Sequence, residues 1–361
     1  MDTSVFFVDQ NIPYLADALS NCGSVVRFDG RTLTAENLRQ EHCTALFVRS
    51  VTRVTSSLLH QTYVRFVGTA TAGTDHIDNN YLNSSGIFFT SAAGSNANAV
   101  AEYAVFAMLE WAKKNKTSLH GKRVGIVGYG NVGRRVADYC NRLGMNIVVN
   151  DSPLSDNGFQ FPDWTKHVSV QELCSQSDII TNHVPLNLTG NYSTLGLLGN
   201  SELSRLKTGG LIIHASRGGV IDEQVILDIT PKKQIVLAFD VWNNEPLIDV
   251  QLAQKAMIAT PHIAGYSWNA KLSGARMMAE QFAEFSGCSP DLSLWNNNTL
   301  PEFLPIDCTD ELTIYKQLSK QRQFLHDTRN LHGTLRLEST ERAFAFDQLR
   351  KQYPQRFESL Q

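Results

Sequence analysis

A chain of 361 residues is long enough for two or three domains and a large buried core. Its 42% apolar and 19% charged content is that of an ordinary globular protein, and a formal charge of −3 gives no bulk attraction to nucleic acid or anionic membranes. No stretch approaches the roughly 18 apolar residues that a membrane span needs. The start, MDTSVFFVDQ, has Asp2 and no basic leader, so it reads as a first strand rather than a signal peptide. Cys22, Cys43, Cys140, Cys174, Cys288 and Cys308 show no CxxC spacing, which points to reduced thiols, no metal site and a cytoplasmic address.

In chain order, short β-branched and aromatic runs alternate with helix-like segments, the pattern of an α/β fold with parallel sheets. VFFVD (5–9), ALFVRS (45–50), RFVGTA (65–70) and GIFFT (86–90) are predicted strands of a first unit, closed by the loop SAAGSNANA. ANAVAEYAVFAMLEWAKK (97–114) is apolar around most of its circumference, so a helix there belongs between domains or under a sheet. A second set of strands follows: VGIVG, NIVVND (146–151), DIITNHV (178–184), GLIIHAS (210–216), IVLAFDV (235–241) and MIATPHIAG (257–265). This spacing predicts a doubly wound sheet. From about residue 286 to 311 the chain is rich in Ser, Asn, Pro and Asp and reads as a linker. Two helical stretches, ELTIYKQLSKQRQFLHDTRN and ERAFAFDQLRKQYPQRFESL, flank a predicted short strand at GTLRLES (333–339). This tail is too small for a comfortable core of its own and is expected to pack on the main body or on another subunit.

VGIVGYGNVGRR (124–135) places Gly128, Gly130 and Gly133 in GxGxxG spacing, with Tyr129, Asn131 and Val132 between them. The motif follows an apolar strand and opens a helix, the context that gives it meaning. The first glycine permits a tight turn, the second lets the backbone approach a pyrophosphate, and the third allows close packing of helix on strand. Asp151 ends the next strand, 18 residues beyond Gly133, where a carboxylate binds ribose hydroxyls and repels a 2′-phosphate. NAD is therefore the expected cofactor. Arg134 and Arg135 belong to the first turns of the helix and are expected away from the ribose.

Arg217 in HASRGGVID, Glu245 in FDVWNNEP and His262 in TPHIAGY lie just beyond the ends of late strands, where doubly wound sheets place ligands. Singly, each has a bland reading as a surface cation or turn residue. Together they suit hydride transfer to or from a 2-hydroxy acid. An arginine holds the carboxylate bidentately, a histidine takes the hydroxyl proton, and a glutamate orients the imidazole. Asp240 is placed to accept from the nicotinamide carboxamide.

GYGNVG, SRGGVID, FDVWNNEP and TPHIAG, in this order, resemble the signature blocks of the D-isomer-specific 2-hydroxyacid dehydrogenases across residues 1 to about 285. The resemblance implies Arg217 as substrate binder, His262 as proton donor and acceptor, and Glu245 as its partner. It also implies NAD contacts at Asp151, Val184, Ser216, Asp240 and Gly265. Two lobes are implied, with the active site in the cleft between them: a substrate lid from 1–95 with 267–288, of flavodoxin-like type, and a Rossmann-type NAD-binding domain over 96–266. Residues 289–361 would be a small C-terminal α+β domain that makes a homodimer, with FDQLRKQY (346–353) in its dimerisation region.

Other blocks, including DQNIPYL (9–15), LFVRSVTRVTSSLL (46–59), FVGTATAGTDHIDN (66–79), SNANAVAEYAVF (95–106) and HIAGYS (262–267), resemble a subgroup of that family acting on a phosphorylated 2-hydroxy acid. Backbone donors of Thr71, Ala72 and Gly73, with Arg217, suit the carboxylate. RSVTR gathers Arg49, Ser50, Thr52 and Arg53 in one loop for the phosphate. Resemblance makes Ser50, Thr71 and Tyr266 substrate contacts, and Arg350 in the tail is the first candidate for a further cation on the phosphate. One departure is His214, where many family members have Asn. His76 and His183 read as structural or cofactor-lining groups. Alternatives are a dehydrogenase for another acid, such as 3-phosphoglycerate, glycerate or lactate, and an NAD-sensing corepressor-like binding protein.

Overall fold

The computed structural model describes residues 4–296 and 310–361, which gather into two compact units. One comprises Met1–Asn96 with Tyr266–Leu300, the other Ala97–Gly265 with Pro301–Gln361.

The first unit holds five parallel strands, β1 (Val5–Asp9), β2 (Ser24–Phe28), β3 (Cys43–Val48), β4 (Phe66–Thr69) and β5 (Phe88–Ser91), in the order β2-β1-β3-β4-β5. Successive residues enter opposite faces. Phe6, Val8, Phe47 and Phe66 pack with Met278 and Phe282 of the Trp268–Ser286 helix, while Phe7, Leu46, Val48 and Val67 pack with Leu38, Leu58 and Leu82. Burial on both faces is why these strands read as unbroken apolar runs. Gly274 seats the 268–286 helix on the end of β4, since a Cβ there would approach Ala70 O to 2.7 Å. The direction of winding reverses between β1 and β3, and a crevice opens at the carboxyl ends of such strands. Asp9 and Arg49 flank it.

The second unit holds β6 (Arg123–Val127), β7 (Asn146–Asn150), β8 (Thr165–His167), β9 (Ile179–Asn182), β10 (Leu211–His214), β11 (Val236–Phe239) and β12 (Ile258–Ala259). Their order, β12-β11-β10-β9-β6-β7-β8, is all parallel and doubly wound, with the switch point between β6 and β9. The expected strand MIATPHIAG shrinks to Ile258–Ala259: Thr260 N still donates to Phe239 O, but Pro261 has no N–H and residues 262–264 give theirs to Asp240.

The Ala97–Lys114 helix is buried on every side from Ala99 to Ala112. Within this unit it lies against the Asn131–Arg142 helix and against the Glu311–Arg322 helix of the tail. The described tail holds three helices, Glu311–Arg322, Phe324–Thr334 and Ser339–Lys351, followed by an irregular C-terminal stretch. Gln323, at φ 45, divides what reads in sequence as one helix, and the chain before Pro354 has left helical geometry. The strand expected at 333–339 is therefore absent. Leu331 and Leu335, four apart, share the buried face of a helix, whereas Leu337, which a strand would place beside Leu335, is exposed. Leu331, Leu335 and Phe346 join the core of the second unit, so the described tail is part of that unit rather than one of its own. In the expected linker Leu292–Trp295 forms a 3₁₀ turn with Trp295 buried; residues 297–309, including Cys308, lie outside the described residues.

Candidate active site

The glycine turn follows β6 at the switch point. Gly128 has φ 90, and a Cβ there would lie 2.8 Å from Val184 Cγ1 and 2.9 Å from the carbonyl carbon of His183. A Cβ on Gly133 would collide with Gly128 O, whereas one on Gly130 would meet nothing within 4 Å. One glycine makes the turn, one seats the helix, and the middle one leaves open space beside the backbone. The 131–142 helix starts at Gly130 with no side-chain cap, so its first N–H groups are available to an anion. Asp151 Oδ2 accepts from Tyr129 N at 2.7 Å, and Oδ1 accepts from Leu154 N at 3.1 Å. The carboxylate is thus fixed beside the turn, with lone pairs remaining for ribose hydroxyls. These residues fit a dinucleotide. Arg134 Nε donates to Tyr129 O at 3.0 Å, and its guanidinium lies 4.7 Å from the Phe159 ring centre.

Arg217, Glu245 and His262 follow three adjacent strands, β10, β11 and β12. Asp240, next after β11, is 1% exposed and organises the loop carrying His262. Its Oδ1 accepts from Thr260 Oγ1 at 2.6 Å and Ile263 N at 2.7 Å, and Oδ2 accepts from Ala264 N at 2.9 Å. Its carbonyl accepts from His262 N at 2.7 Å. Complete burial pushes the Asp240 carboxyl above its ordinary range, against the pull of His262 and these donors. Its visible work is to hold the loop, which the expected carboxamide contact leaves out.

His262 Nδ1 and Glu245 Oε2 lie 2.8 Å apart, and Glu245 Oε1 accepts from Trp242 N at 3.0 Å. Burial drives the Glu245 carboxyl up, but the charge and hydrogen bond of His262, with Arg350 and the Trp242 N–H, outweigh it. The group sits below its ordinary range and is ionised at neutral pH. Arg350, from the tail helix, is thus close enough to act on Glu245 within one chain. Pairing at Nδ1 leaves Nε2 to exchange a proton with a ligand.

The Arg217 loop packs on the Glu245 loop. A Cβ on Gly218 would strike Trp242 O, and Gly219 N donates to Asn243 Oδ1. Arg217 Nη1 donates to Ser216 O at 2.8 Å, and Ser216 Oγ donates to Asn182 Oδ1. Beneath lies His214, fully buried, its Nδ1 within 3.0 Å of Asn182 Nδ2 and its ring edge-on to Phe239. Burial, with the nearby His183 and His262, pushes the His214 pKa down to about 3, so it is neutral. His214 is a packing group bonded to Asn182. His183 is pushed down to about 3 by burial and pairs with Thr181 Oγ1 at 2.8 Å.

In the first unit, Arg49 and Ser50 follow β3, and Thr71, Ala72 and Gly73 follow β4. The two ends are adjacent, since Ala70 N donates to Val48 O at 2.9 Å. Arg49 Nε lies 3.4 Å from Asp9 Oδ1, which also accepts from Asn11 N at 2.8 Å. Thr71 Oγ1 is 2.9 Å from Thr69 Oγ1, itself 3.0 Å from His76 Nε2. Tyr266 leads into the Ser267-capped helix. Thr52 is buried and donates to Gly30 O at 2.9 Å, so it is a loop anchor rather than a ligand group. Sequence reasoning missed Lys271, one turn before Gly274 on the face toward Ala70. Lys271 is exposed, and desolvation first and then the charge of Arg49 lower its pKa. Its spacing from Gly274 could have signalled it; Asp9 gave no signal beyond ending a strand.

The family model for the NAD binding domain of the D-isomer specific 2-hydroxyacid dehydrogenases matches residues 97–264. The erythronate-4-phosphate dehydrogenase of Proteus mirabilis is 39% identical over 354 residues, covering 97% of this chain and 92% of the relative. That of Shigella flexneri is 38% identical over 352 residues, covering 97% and 91%. The chain belongs to the D-isomer specific 2-hydroxyacid dehydrogenase family and is an NAD-dependent dehydrogenase. In fold it is similar to the NAD⁺-bound 3-phosphoglycerate dehydrogenase of Entamoeba histolytica, with a TM-score of 0.66 at 22% identity over 84% of this chain and 100% of that one.

Proposed function

We propose that this protein oxidises 4-phospho-D-erythronate at C2 to 2-oxo-3-hydroxy-4-phosphobutanoate, a step toward pyridoxal 5′-phosphate. The observation that carries this reading is 39% identity to an erythronate-4-phosphate dehydrogenase over 97% of the chain. Bound NAD supplies the hydride acceptor. Arg217 holds the carboxylate, with backbone donors of Thr71, Ala72 and Gly73, and polarises the C2 oxygen. His262 Nε2 takes the hydroxyl proton, and the ionised Glu245 stabilises the imidazolium that forms. Asp151, Val184, Ser216, Asp240 and Gly265, with the turn 128–133, are assigned to the cofactor.

The phosphate is assigned to Arg49, Ser50 and Lys271, with Tyr266 as a further substrate contact. Gly274, one turn on from Lys271, meets Ala70, whose N–H bonds Val48 beside Arg49, so the two cations come from adjoining segments, which supports the assignment. Residues 1–95 with 267–288 serve as the substrate lid in this reading, and 96–266 as the NAD-binding domain. The tail makes a homodimer, supported by the exposed Leu312 and Phe344 on its helices and Leu337 between two of them. A cytoplasmic address fits the free thiols of Cys22, Cys43, Cys140, Cys174 and Cys288.

The test is NADH formation or enzyme-bound reduction with 4-phosphoerythronate, 3-phosphoglycerate and D-lactate. The phosphorylated four-carbon acid should win in kcat/KM by about 100-fold, and His262→Ala should lose about 1,000-fold in kcat. Preference for another acid removes the substrate assignment; near-normal turnover by His262→Ala removes the mechanism. Light scattering on the same preparation should show twice the chain mass of 40.2 kDa. A monomer mass removes the dimer.

A further inference from the structure

Arg322 ends the Glu311–Arg322 helix with its side chain 0% exposed, facing an equally buried Glu102 from the 97–114 helix. Its Nη1 donates to Glu102 Oε2 at 3.0 Å, and its Nη2 donates to Ala264 O at 2.7 Å. The guanidinium also lies 4.9 Å from the Phe324 ring centre. Glu102 Oε1 accepts the backbone N–H groups of Ser359 and, at 2.7 Å, of Leu360. One turn earlier, Asn98 Nδ2 donates to Glu358 Oε2 at 2.8 Å and to Leu360 O at 3.0 Å. The C-terminal residues therefore close over the ion pair.

Ala264 stands two residues after His262, and both of its backbone polar groups are taken. Asp240 accepts from its N–H at 2.9 Å, and Arg322 donates to its carbonyl. A guanidinium suits this task, because its planar fork is always charged and fixes two acceptors in one geometry. The loop needs such holding. His262 has φ 58, a conformation that a non-glycine residue keeps only where its surroundings over-determine it. A buried ion pair contributes little net stability as a rule, so its worth here lies in position.

We propose that Arg322 is a positioning residue for His262: backed by Glu102 and residues 358–360, the tail braces the proton-transfer loop of its own chain. The inference rests on His262 being the acid/base. A tail that served dimerisation alone would give Arg322 no part in turnover.

The test compares Arg322→Ala, Arg322→Lys and His262→Ala in the full chain. It reads kcat and KM for the preferred acid, NADH affinity by fluorescence, melting temperature, and amide exchange. Arg322→Ala should lose about 30-fold in kcat while KM and NADH affinity stay within about threefold. Exchange in 260–266 should quicken about tenfold while 124–136 is unchanged. Arg322→Lys, able to keep one of the two contacts, should fall between, and millimolar guanidinium should restore part of the lost kcat of Arg322→Ala. The proposal is overturned if a folded Arg322→Ala keeps kcat within about threefold. It is also overturned if exchange in 260–266 stays normal, or if 124–136 loosens equally, the mark of general destabilisation. Should Arg322→Ala not fold, Arg322→Lys and a chain ending at Phe357 are held to the same comparison. Turnover retained by His262→Ala would instead remove the acid/base reading, so the two failures are separable.

Discussion

The turn 128–133 and the loop 260–266 leave the carboxyl edge of the same parallel sheet, after β6 and β12, and each passes through positive φ. In the turn that residue is Gly128 at φ 90; in the loop it is His262 at φ 58. Glycine adopts this geometry freely, whereas a side chain costs about 1–2 kcal/mol there. The turn takes its backbone geometry from its own three glycines and the helix start, and other elements add only acceptors for Gly128 N and Tyr129 N at Asn150 O and Asp151 Oδ2. The loop must keep an imidazole, so its conformation is held by Asp240, Glu245 and Arg322, which come from other elements. A backbone-built site can be written locally; a side-chain-built site cannot.

The contrast breaks most visibly at Gly133. Gly133→Val would drive a branched side chain into Gly128 O, so the turn must deform. Expected are loss of measurable NADH binding and a destabilisation of about 3 kcal/mol or more, read by fluorescence titration and urea unfolding. NADH affinity within about threefold of the parent would show that the turn is not locally encoded after all. Glu245→Gln should spare the cofactor and strike only the loop's chemistry. It keeps an acceptor for Trp242 N but no longer stabilises an imidazolium, so kcat should fall about 100-fold with NADH affinity unchanged. An equal fall in both would mean that the loop and the cofactor turn are one cooperative unit.

The smallest effect concerns pH. His214 beneath the loop has its pKa pushed down to about 3 by burial, against about 6.5 in an unfolded chain. Below pH 6.5 the unfolded chain takes up a proton that the folded chain refuses. The contribution of a neutral His214 is therefore complete above pH 6.5 and is lost progressively as pH falls toward 3. At pH 5 the loss amounts to about 2 kcal/mol. His214→Asn removes this term, so the stability lost between pH 8 and pH 5 should shrink by that amount in urea titrations at the two pH values. An unchanged pH dependence would place a proton on the native imidazole.

Strands buried on both faces, such as β1 and β7, are written as apolar runs and are legible. The edge strands β2 and β8 are half exposed, and Ser24–Phe28 and Thr165–His167 offer no such run to read. In the tail, GTLRLES alternates like a strand, yet the packing of Leu331 with Leu335 makes it the end of one helix and the approach to the next. Among the candidate residues, the spacing of Arg217, Glu245 and His262 beyond their strands was readable. Asp240 as the lock of the loop, Lys271 beside Arg49, and the Arg322–Glu102 pair were not.

By itself the sequence determined the two parallel sheets, the glycine turn with its ribose acid, and the residue types for proton and carboxylate handling. Period, turn chemistry and strand ends act over a few residues, so they survive as local pattern. Only the tertiary structure decided that Asp240 holds the loop of His262 by its hydrogen bonds, and that Arg322 reaches Ala264 across 58 positions of sequence. Those choices are made by burial and by hydrogen bonds between elements, and neither has a spacing that a sequence can display.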